Sequence, residues 1–411
     1  MKKIKYLTFG CLLSCLVACE QRPVPTFSYD NIDTNAARGN GGDASTAAIG
    51  NANDVATPDD VVVKEGTLTA GNWNDLENWE FWNKLMQKPV YFDFQEKWQY
   101  YPSQRYQVQL KDNSQQPIQD ATVILKSKSG DIIWQAKTNN KGNAELWAQL
   151  FEESKQLDNI IEVAYQGTTQ TIESPQTFTQ GTNVLELETA AVAPSNQIDV
   201  MLVVDATGSM EDEIAYMKAE FADVIQQVKT QQPTIALQTG AVFYRDIGDE
   251  YVTRMSPLSA NASDVTNFMN EQSAKDGGDF PEAVDAALKA ALADKNWSSS
   301  ARSRILFLML DAPAHNEPAH QKSLQASIQA AAKNGIQIIP IASSGIDKKT
   351  EFLTRFMAMA TNGSYVFLTD HSGVGNKHIE PTVGVYRVEL LNELLTRIIL
   401  QNSETVTPEV L

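Results

Sequence analysis

Residues 198–210 read IDVMLVVDATGSM, and this stretch decides the fold class of the second half of the chain. The apolar run ends at Asp205, and Ile214, Met217 and Phe221 then recur at the spacing of one helix face. A buried strand that leads through a short polar turn into an amphipathic helix is typical of an α/β domain. Ligands bind such domains at the carboxyl ends of the strands, which is where Asp205 lies.

The same alternation of strand and helix continues through residues 196–401. Apolar strands are predicted at 198–204, 234–244, 251–258, 304–310, 336–342 and 364–369. After the first helix, further helices are predicted at 263–274, 281–294, 319–334, 348–361 and 384–400. We therefore expect a doubly wound, mostly parallel sheet covered by helices on both faces.

Residues 103–190 carry a different pattern, in which seven short segments alternate apolar and polar residues between turn signals such as KSGD and NNKG. This spacing predicts a small all-β sandwich. The segments QPIQDATVIL (116–125) and TNNKGNAELW (138–147) resemble the carboxypeptidase-regulatory-like, transthyretin-type sandwich of secreted bacterial proteins. The resemblance implies a spacer or adhesive module, and we see no catalytic group in this region of the sequence.

The first 18 residues predict a signal peptide. Lys2, Lys3 and Lys5 precede an apolar run that is too short to span a bilayer, and LVAC (16–19) resembles the lipobox of bacterial lipoproteins. That resemblance implies cleavage before Cys19 and lipidation of its thiol. Glu20, rather than aspartate, points to the outer membrane. Residues 19–60, rich in Asn, Ala, Gly and Asp, predict a disordered tether, and residues 402–411 a short tail.

Residues 61–102 contain four of the seven tryptophans of the chain. Asp75 is a candidate cap for a helix in which Leu76, Trp79, Trp82 and Met86 recur at helical spacing. This pattern favours a helix packed against a neighbouring sheet, and a stacking platform for sugars or a partner is the alternative.

The turn DATGSM (205–210) does not fit three common catalytic loops. A phosphate-binding loop needs several glycines and a lysine, and a nucleophile elbow needs a glycine two residues before Ser209. An aspartic protease needs a second, matching carboxylate loop, which the sequence lacks. A hard divalent cation fits better, because the oxygens of Asp205, Thr207 and Ser209 can face one point and Mg²⁺ prefers oxygen ligands.

The D-x-[ST]-x-S pattern after an apolar strand resembles the metal-ion-dependent adhesion site of the von Willebrand factor type A domain. One branch of that family also carries motifs like Tyr244-Arg245-Asp246, GGDFPE (277–282) and DAPAH (311–315). The resemblance implies Mg²⁺, or another divalent cation such as Ca²⁺ or Mn²⁺. It implies the metal ligands Asp205, Thr207, Ser209, Asp279 and Asp311. Asp279 replaces the threonine usual in the family, and helix capping is its alternative role.

Other acidic and histidine residues give weaker signals. Asp246, Asp249 and Glu250 form an acidic loop, interpreted as solvated with Arg245 paired to Asp246, and a secondary Ca²⁺ site is the alternative. Glu282 is expected to stabilise the dipole of a helix beginning at Pro281 rather than to bind metal. His315 and His320 are five residues apart, which is not a typical zinc spacing, so we predict no histidine metal site.

The charge of the chain excludes one class of partner. Without the three lysines of the signal peptide, the chain carries 30 basic and 51 acidic residues, a net charge of −21, which disfavours nucleic acid and anionic lipid.

Together, these sequence features predict a non-enzymatic lipoprotein of the cell envelope. It is expected to bind a protein partner through the metal site and to contact the membrane only through its lipid anchor. One alternative is an assembly factor in which the metal only stabilises loops and the sandwich or the aromatic-rich segment binds the partner. The other is a metal-dependent hydrolase with Asp246 or His315 as general base.

Overall fold

The computed structural model describes residues 67–152, 158–278, 280–293, 296–372 and 377–404. All of these residues lie in one compact unit. The predicted signal peptide, Cys19 and the tether lie outside the described residues, and so does Asp279. In the described part of the chain, every helix is too short or too polar to cross a membrane.

The aromatic-rich segment forms one strand and two helices, which are β1 (Thr69–Trp73), α1 (Trp79–Met86) and α2 (Pro89–Trp98). Trp79 and Trp82 are buried, so they belong to the packed interior rather than to a stacking platform. Trp82 stacks on Phe352 with ring centroids 5.8 Å apart. Asp75 does not cap α1, whose N-cap is Asn78, because its carboxylate is engaged by Trp73 Nε1 and by a buried arginine.

Seven strands follow, one in each segment where alternation predicts a strand. They are β2 (Arg105–Asp112), β3 (Thr122–Ser127), β4 (Ile132–Lys137), β5 (Asn143–Trp147), β6 (Asn159–Tyr165), β7 (Thr168–Ile172) and β8 (Asn183–Leu187). They form a three-stranded sheet, β5-β2-β8, and a four-stranded sheet, β4-β3-β6-β7. Inward-facing Val108 and Leu125 are fully buried, as the alternating pattern requires.

The second half of the chain alternates strand and helix. Its elements are β9 (Gln197–Asp205), α3 (Glu211–Gln231), β10 (Ala236–Tyr244), β11 (Thr253–Ser259), α4 (Ala262–Glu271), α5 (Val284–Ala291), β12 (Ser303–Leu310), α6 (Pro318–Asn334), β13 (Ile336–Ala342), α7 (Lys348–Ala360), β14 (Tyr365–Leu368), β15 (Glu389–Leu390) and α8 (Leu391–Ser403). Two helices begin later than predicted. α5 begins at Val284 rather than at Pro281, and α8 begins at Leu391 after the short strand β15.

The main sheet has eight strands in the order β11-β10-β9-β12-β13-β14-β1-β15. The five central strands, β10, β9, β12, β13 and β14, are parallel, whereas β11 and β1 pair antiparallel with their neighbours. The sheet is therefore mixed, with a parallel centre. The aromatic-rich segment is part of it, because β1 inserts between β14 and β15.

Successive residues of β9 face opposite sides of the sheet. Val200 and Leu202 enter a core beneath α3 and α8, whereas Met201 and Val203 enter a core on the other face. The second core continues through α7 into the two smaller sheets and the aromatic-rich segment, where Tyr100 stacks on Phe356 with centroids 4.0 Å apart. Burial on both faces explains why the strand is apolar throughout instead of alternating.

Candidate metal centre

Two neighbouring parallel strands deliver aspartates to the same edge of the main sheet. Val204 of β9 pairs with Met309 of β12, so Asp205 and Asp311 leave the sheet side by side. Both aspartates are buried, at 0% and 3% exposure. Because helices cover both faces of the sheet, its loops gather at the carboxyl ends of the parallel strands. The two carboxylates lie at this edge.

The turn after β9 orients Asp205 internally. Thr207 donates its backbone N–H (3.0 Å) and its hydroxyl (2.7 Å) to Oδ1 of Asp205. The Thr207 hydroxyl also lies 3.3 Å from the hydroxyl of Ser209, which is the exposed member of the group. Within the described ranges, Oδ2 of Asp205 and Oδ1 of Asp311 are buried and lack a hydrogen-bond partner.

Burial raises the pKa of both aspartates. The pKa of Asp205 rises from 3.8 to about 7, mainly because the group is desolvated and also because Asp311 is close. The pKa of Asp311 rises to about 6, again through desolvation, and hydrogen bonding from Ser209 opposes the rise. In the metal-free protein, burial therefore makes the charged forms of both carboxylates unfavourable.

Glu282 joins this cluster, which the sequence reasoning missed. Its backbone N–H donates to Pro313 O (2.9 Å), which ties the loop before α5 to the loop after β12. The side chain is 2% exposed, and its Oε2 has no partner among residues that the structure describes. Desolvation and the nearby Asp205 raise its pKa to about 9. Glu282 lies one residue before Ala283, the N-cap of α5, and so outside the first helical turn in which the sequence predicts it.

A buried arginine holds the loop 273–278 against the turn after β9. Arg245 donates to Ala206 O (3.1 Å), to Asp276 Oδ2 (2.5 Å) and to Ser273 O (3.0 Å). Gly208 N–H adds a bond to Asp276 O (3.1 Å). The predicted pairing of Arg245 with Asp246 is therefore wrong, since Asp246 instead contacts His315.

The side chains at this edge suit a hard divalent cation. They supply carboxylate and hydroxyl oxygens, and three carboxylates, Asp205, Glu282 and Asp311, each keep one buried oxygen without a partner in the described part of the chain. A buried acceptor without a donor is unfavourable, and a cation removes that penalty. Mg²⁺ and Ca²⁺ prefer such oxygen ligands. Asp279, the remaining predicted ligand, lies outside the described residues.

The structure is an α/β sheet with acidic and hydroxyl side chains gathered at its carboxyl edge. Comparison with known proteins identifies the class of domain that has this arrangement. The family model described as von Willebrand factor A domain matches residues 199–378. The chain therefore contains a von Willebrand factor A domain, as its motifs predict.

Curated relatives and solved structures share only part of this chain. It is 21% identical over 225 residues to alpha-protein kinase vwkA of Dictyostelium discoideum, and the alignment covers 54% of this chain and 35% of that relative. It is 28% identical over 121 residues to an ariadne-like RING finger protein of Acanthamoeba polyphaga mimivirus, and this alignment covers 29% of this chain and 11% of that relative. The chain thus spans only a minor part of either relative.

Two solved structures each match half of the chain. They are BatB from Bacteroides thetaiotaomicron and an aerotolerance-related membrane protein from Bacteroides fragilis. Both are 13% identical, have TM-scores of 0.34 and cover 50% of this chain. The matches take in 98% and 99% of the respective structures.

Proposed function

We propose that the von Willebrand factor A domain binds a protein partner through a divalent cation, with Mg²⁺ as the expected ion. Asp205, Thr207, Ser209 and Asp311 hold the cation, and Asp279 is a further carboxylate at the site. The observation that carries this proposal is the pair of buried aspartate oxygens that find no partner in the described ranges. The domain acts as a binding module rather than as an enzyme.

Glu282 lies beside the proposed cation site, where burial and the nearby Asp205 raise its pKa in the metal-free protein. A bound cation favours the charged form of a carboxylate, so it opposes this rise in the same way for Glu282 as for the two aspartates. We propose that the carboxylates of Asp205 and Asp311 hold the ion, with Asp279 as a further carboxylate. A cation that keeps one coordination position for an outside ligand can take a carboxylate from the partner.

Two exposed apolar side chains flank this edge of the sheet and support a protein as the partner. Ile247 follows β10 and Phe280 precedes α5, and their exposures are 56% and 61%. Large apolar side chains beside a polar centre are typical of protein-binding surfaces. The partner we propose therefore offers a carboxylate to the ion and an apolar surface to these two residues.

The assembly alternative, in which the ion only stabilises loops, has less support. The loop 273–278 is already fixed to the turn after β9 by the buried Arg245, through an ion pair with the exposed Asp276 and two bonds to carbonyl oxygens. These contacts do not require a cation. An ion at Asp205 is therefore better explained by a role in binding a partner than by a role in stabilising this loop.

The cell envelope is the proposed location. The basic start, the apolar run and LVAC (16–19) support a lipoprotein anchored through Cys19, at the outer membrane because Glu20 follows. The two sheets of residues 105–187 support a transthyretin-type sandwich that serves as a spacer or adhesive module. A Cys19→Ser variant is expected to leave the membrane fraction and to appear in the soluble fraction.

A pull-down from envelope extracts tests the proposed function. Wild type, Asp205→Ala and the surface control Glu188→Ala are each used as bait, with Mg²⁺ or with a chelator. We expect one set of proteins to be captured by wild type and Glu188→Ala in Mg²⁺ only. Capture that is identical with Asp205→Ala, or with chelator, contradicts a metal-dependent interaction and favours the assembly alternative.

A further inference from the structure

A second group of ligand-bearing side chains lies at the start of α6 and in the loop after β12 that also carries Asp311. His315, Glu317 and His320 each offer one ligand atom, and these atoms all lie within 4.8 Å of one another. The imidazole rings are stacked with centroids 4.8 Å apart and an interplanar angle of 30°. Both histidines are partly buried, whereas Glu317 is exposed. The sequence prediction that these histidines form no metal site rested on their spacing alone.

Each imidazole is oriented by a carboxylate on its far nitrogen. Nε2 of His315 lies 2.6 Å from Asp246 Oδ1, and Nδ1 of His320 lies 3.0 Å from Asp285 Oδ1. A carboxylate accepts a hydrogen bond, so each contacted nitrogen carries the proton in the neutral ring. The lone pairs then reside on Nδ1 of His315 and Nε2 of His320. Metal-binding histidines commonly have this carboxylate–imidazole arrangement.

The contact between His315 and Glu317 points to a cation. Nδ1 of His315 lies 3.6 Å from Glu317 Oε2. When Asp246 fixes the proton on Nε2, both of these atoms are acceptors, and two acceptors at this distance repel each other. A metal ion between them converts the repulsion into two coordinate bonds, and an additional proton on the ring would also relieve it.

The five residues are positioned by four parts of the fold. Asp246 follows β10 and His315 follows β12, Glu317 is the N-cap of α6, His320 lies in the first turn of α6, and Asp285 lies in the first turn of α5. The main-chain bond from Gln321 N–H to Glu317 O (3.0 Å) sets the distance between Glu317 and His320 along the helix. The backbone positions of the ligand-bearing residues are therefore set by the fold.

We propose that His315 Nδ1, a Glu317 carboxylate oxygen and His320 Nε2 bind a first-row divalent transition-metal ion, with Zn²⁺ as the best fit. Two imidazole nitrogens and one carboxylate are a zinc donor set, in which a water molecule takes the fourth position. The site differs in chemistry from the oxygen cluster of Asp205, because imidazole selects transition metals whereas carboxylate and hydroxyl oxygens select Mg²⁺ or Ca²⁺. It does not depend on the proposed partner binding.

Zinc titration of the purified full-length chain in detergent tests the site, with a chromophoric chelator in competition and Mg²⁺ present in excess. We expect one Zn²⁺ per chain. His315→Ala and His320→Ala are each expected to weaken binding at least tenfold, and Glu317→Gln several-fold. Asp285→Asn is expected to weaken it about tenfold, because it releases the ring of His320. Circular dichroism and thermal melting establish that each variant is folded.

Two control variants establish whether Zn²⁺ binds at this histidine pair or elsewhere on the chain. His371→Ala removes an exposed histidine elsewhere on the surface, and Asp205→Ala disables the oxygen cluster, so both should bind Zn²⁺ like wild type. Absence of Zn²⁺ binding by wild type overturns the proposal, as does binding that Asp205→Ala abolishes and His320→Ala leaves intact. Substitution by Co²⁺ provides an independent readout, since a tetrahedral nitrogen and oxygen site gives visible absorption bands that His320→Ala should remove.

Discussion

Thr207 donates both its backbone N–H and its hydroxyl to the same oxygen of Asp205, at 3.0 Å and 2.7 Å. The other carboxylate oxygen is buried and without a partner in the described part of the chain. The turn thus fixes which oxygen remains available, and it leaves the acceptor lone pairs of the Thr207 hydroxyl available as well. An arrangement that satisfies only one of two buried carboxylate oxygens is suited to a ligand that the protein itself does not supply.

The raised pKa of Asp205 predicts how stability depends on pH when metal is removed. Its pKa is 3.8 in the unfolded chain and about 7 in the folded protein. The stabilising contribution of its proton is therefore fully present below about pH 4 and is lost as the pH rises through about 7. In chelator, we expect the melting temperature of wild type to fall between pH 5 and pH 8.

Asp205→Asn provides the comparison that isolates this group. In chelator at pH 8, the variant should melt roughly 5 °C above wild type, because it has no charge to bury. Added Mg²⁺ should stabilise wild type and leave Asp205→Asn unchanged. Equal melting temperatures for the two proteins at pH 8 in chelator would show that the charged form of Asp205 is not penalised by burial.

Gly277 and Gly278 allow a matched test of the loop beside Thr207. Both have positive φ, at +68° and +120°, so alanine is strained at either position. A Cβ at residue 277 would lie 2.8 Å from Thr207 Cβ, whereas a Cβ at residue 278 would meet nothing within 4 Å.

We therefore expect Gly277→Ala to weaken Mg²⁺ binding about tenfold, because it displaces Thr207. Gly278→Ala should bind Mg²⁺ within about threefold of wild type. Calorimetric titration measures both affinities, and circular dichroism controls for folding. Equal effects of the two substitutions would mean that backbone strain, not the contact with Thr207, sets the affinity.

The two exposed apolar residues at the edge of the sheet should contribute to partner binding. Phe280→Ser and Ile247→Ser are each expected to reduce capture of the partner about tenfold or more, as truncation of an apolar anchor does. Ile132→Ser, at a residue that is 63% exposed on β4, is the matched control and should capture normally. All three should keep the wild-type melting temperature, since none of these side chains is in the core. Undiminished capture of the partner by both Phe280→Ser and Ile247→Ser would place the interface elsewhere.

A buried ion pair joins the aromatic-rich segment to α7. Arg355 Nη2 and Nε donate to the two carboxylate oxygens of Asp75 at 2.6 and 2.9 Å, and both side chains are almost fully buried. Asp75→Ala leaves the arginine without its carboxylate, so we expect a loss of about 3–5 kcal/mol in the free energy of unfolding. Urea denaturation measures it.

Two further variants distinguish the ion pair from simple loss of a side chain. Asp93→Ala, at an exposed position of α2, should change stability by less than about 0.5 kcal/mol. Asp75→Ala combined with Arg355→Met should recover part of the loss, because the unpaired guanidinium is removed while Glu351, the other carboxylate near Arg355, keeps its ion pair with Lys348. A double variant that is less stable than Asp75→Ala alone would contradict this account.

Local sequence patterns were sufficient for most elements of the main sheet. The apolar run at 198–204 is seen as β9, and the periodic residues after Ser209 form one face of α3, because the periodicity of side chains is a local property. The boundaries of α5 and α8 were predicted less well. Non-helical residues before each of them, such as Glu282 and Glu389, join loops or strands through contacts with distant parts of the chain.

The sequence by itself determined an α/β domain in the second half of the chain and the placing of Asp205, Thr207 and Ser209 on one turn, because both follow from residue spacing along a strand and a helix start. Only the tertiary structure decided that β1 enters the main sheet, that Glu282 is buried beside Asp205, and that carboxylates hold the far nitrogens of His315 and His320. These features depend on which distant segments pack together and on how deeply each charge is desolvated. Neither the packing of distant segments nor the desolvation of a charge can be read from the spacing of neighbouring residues.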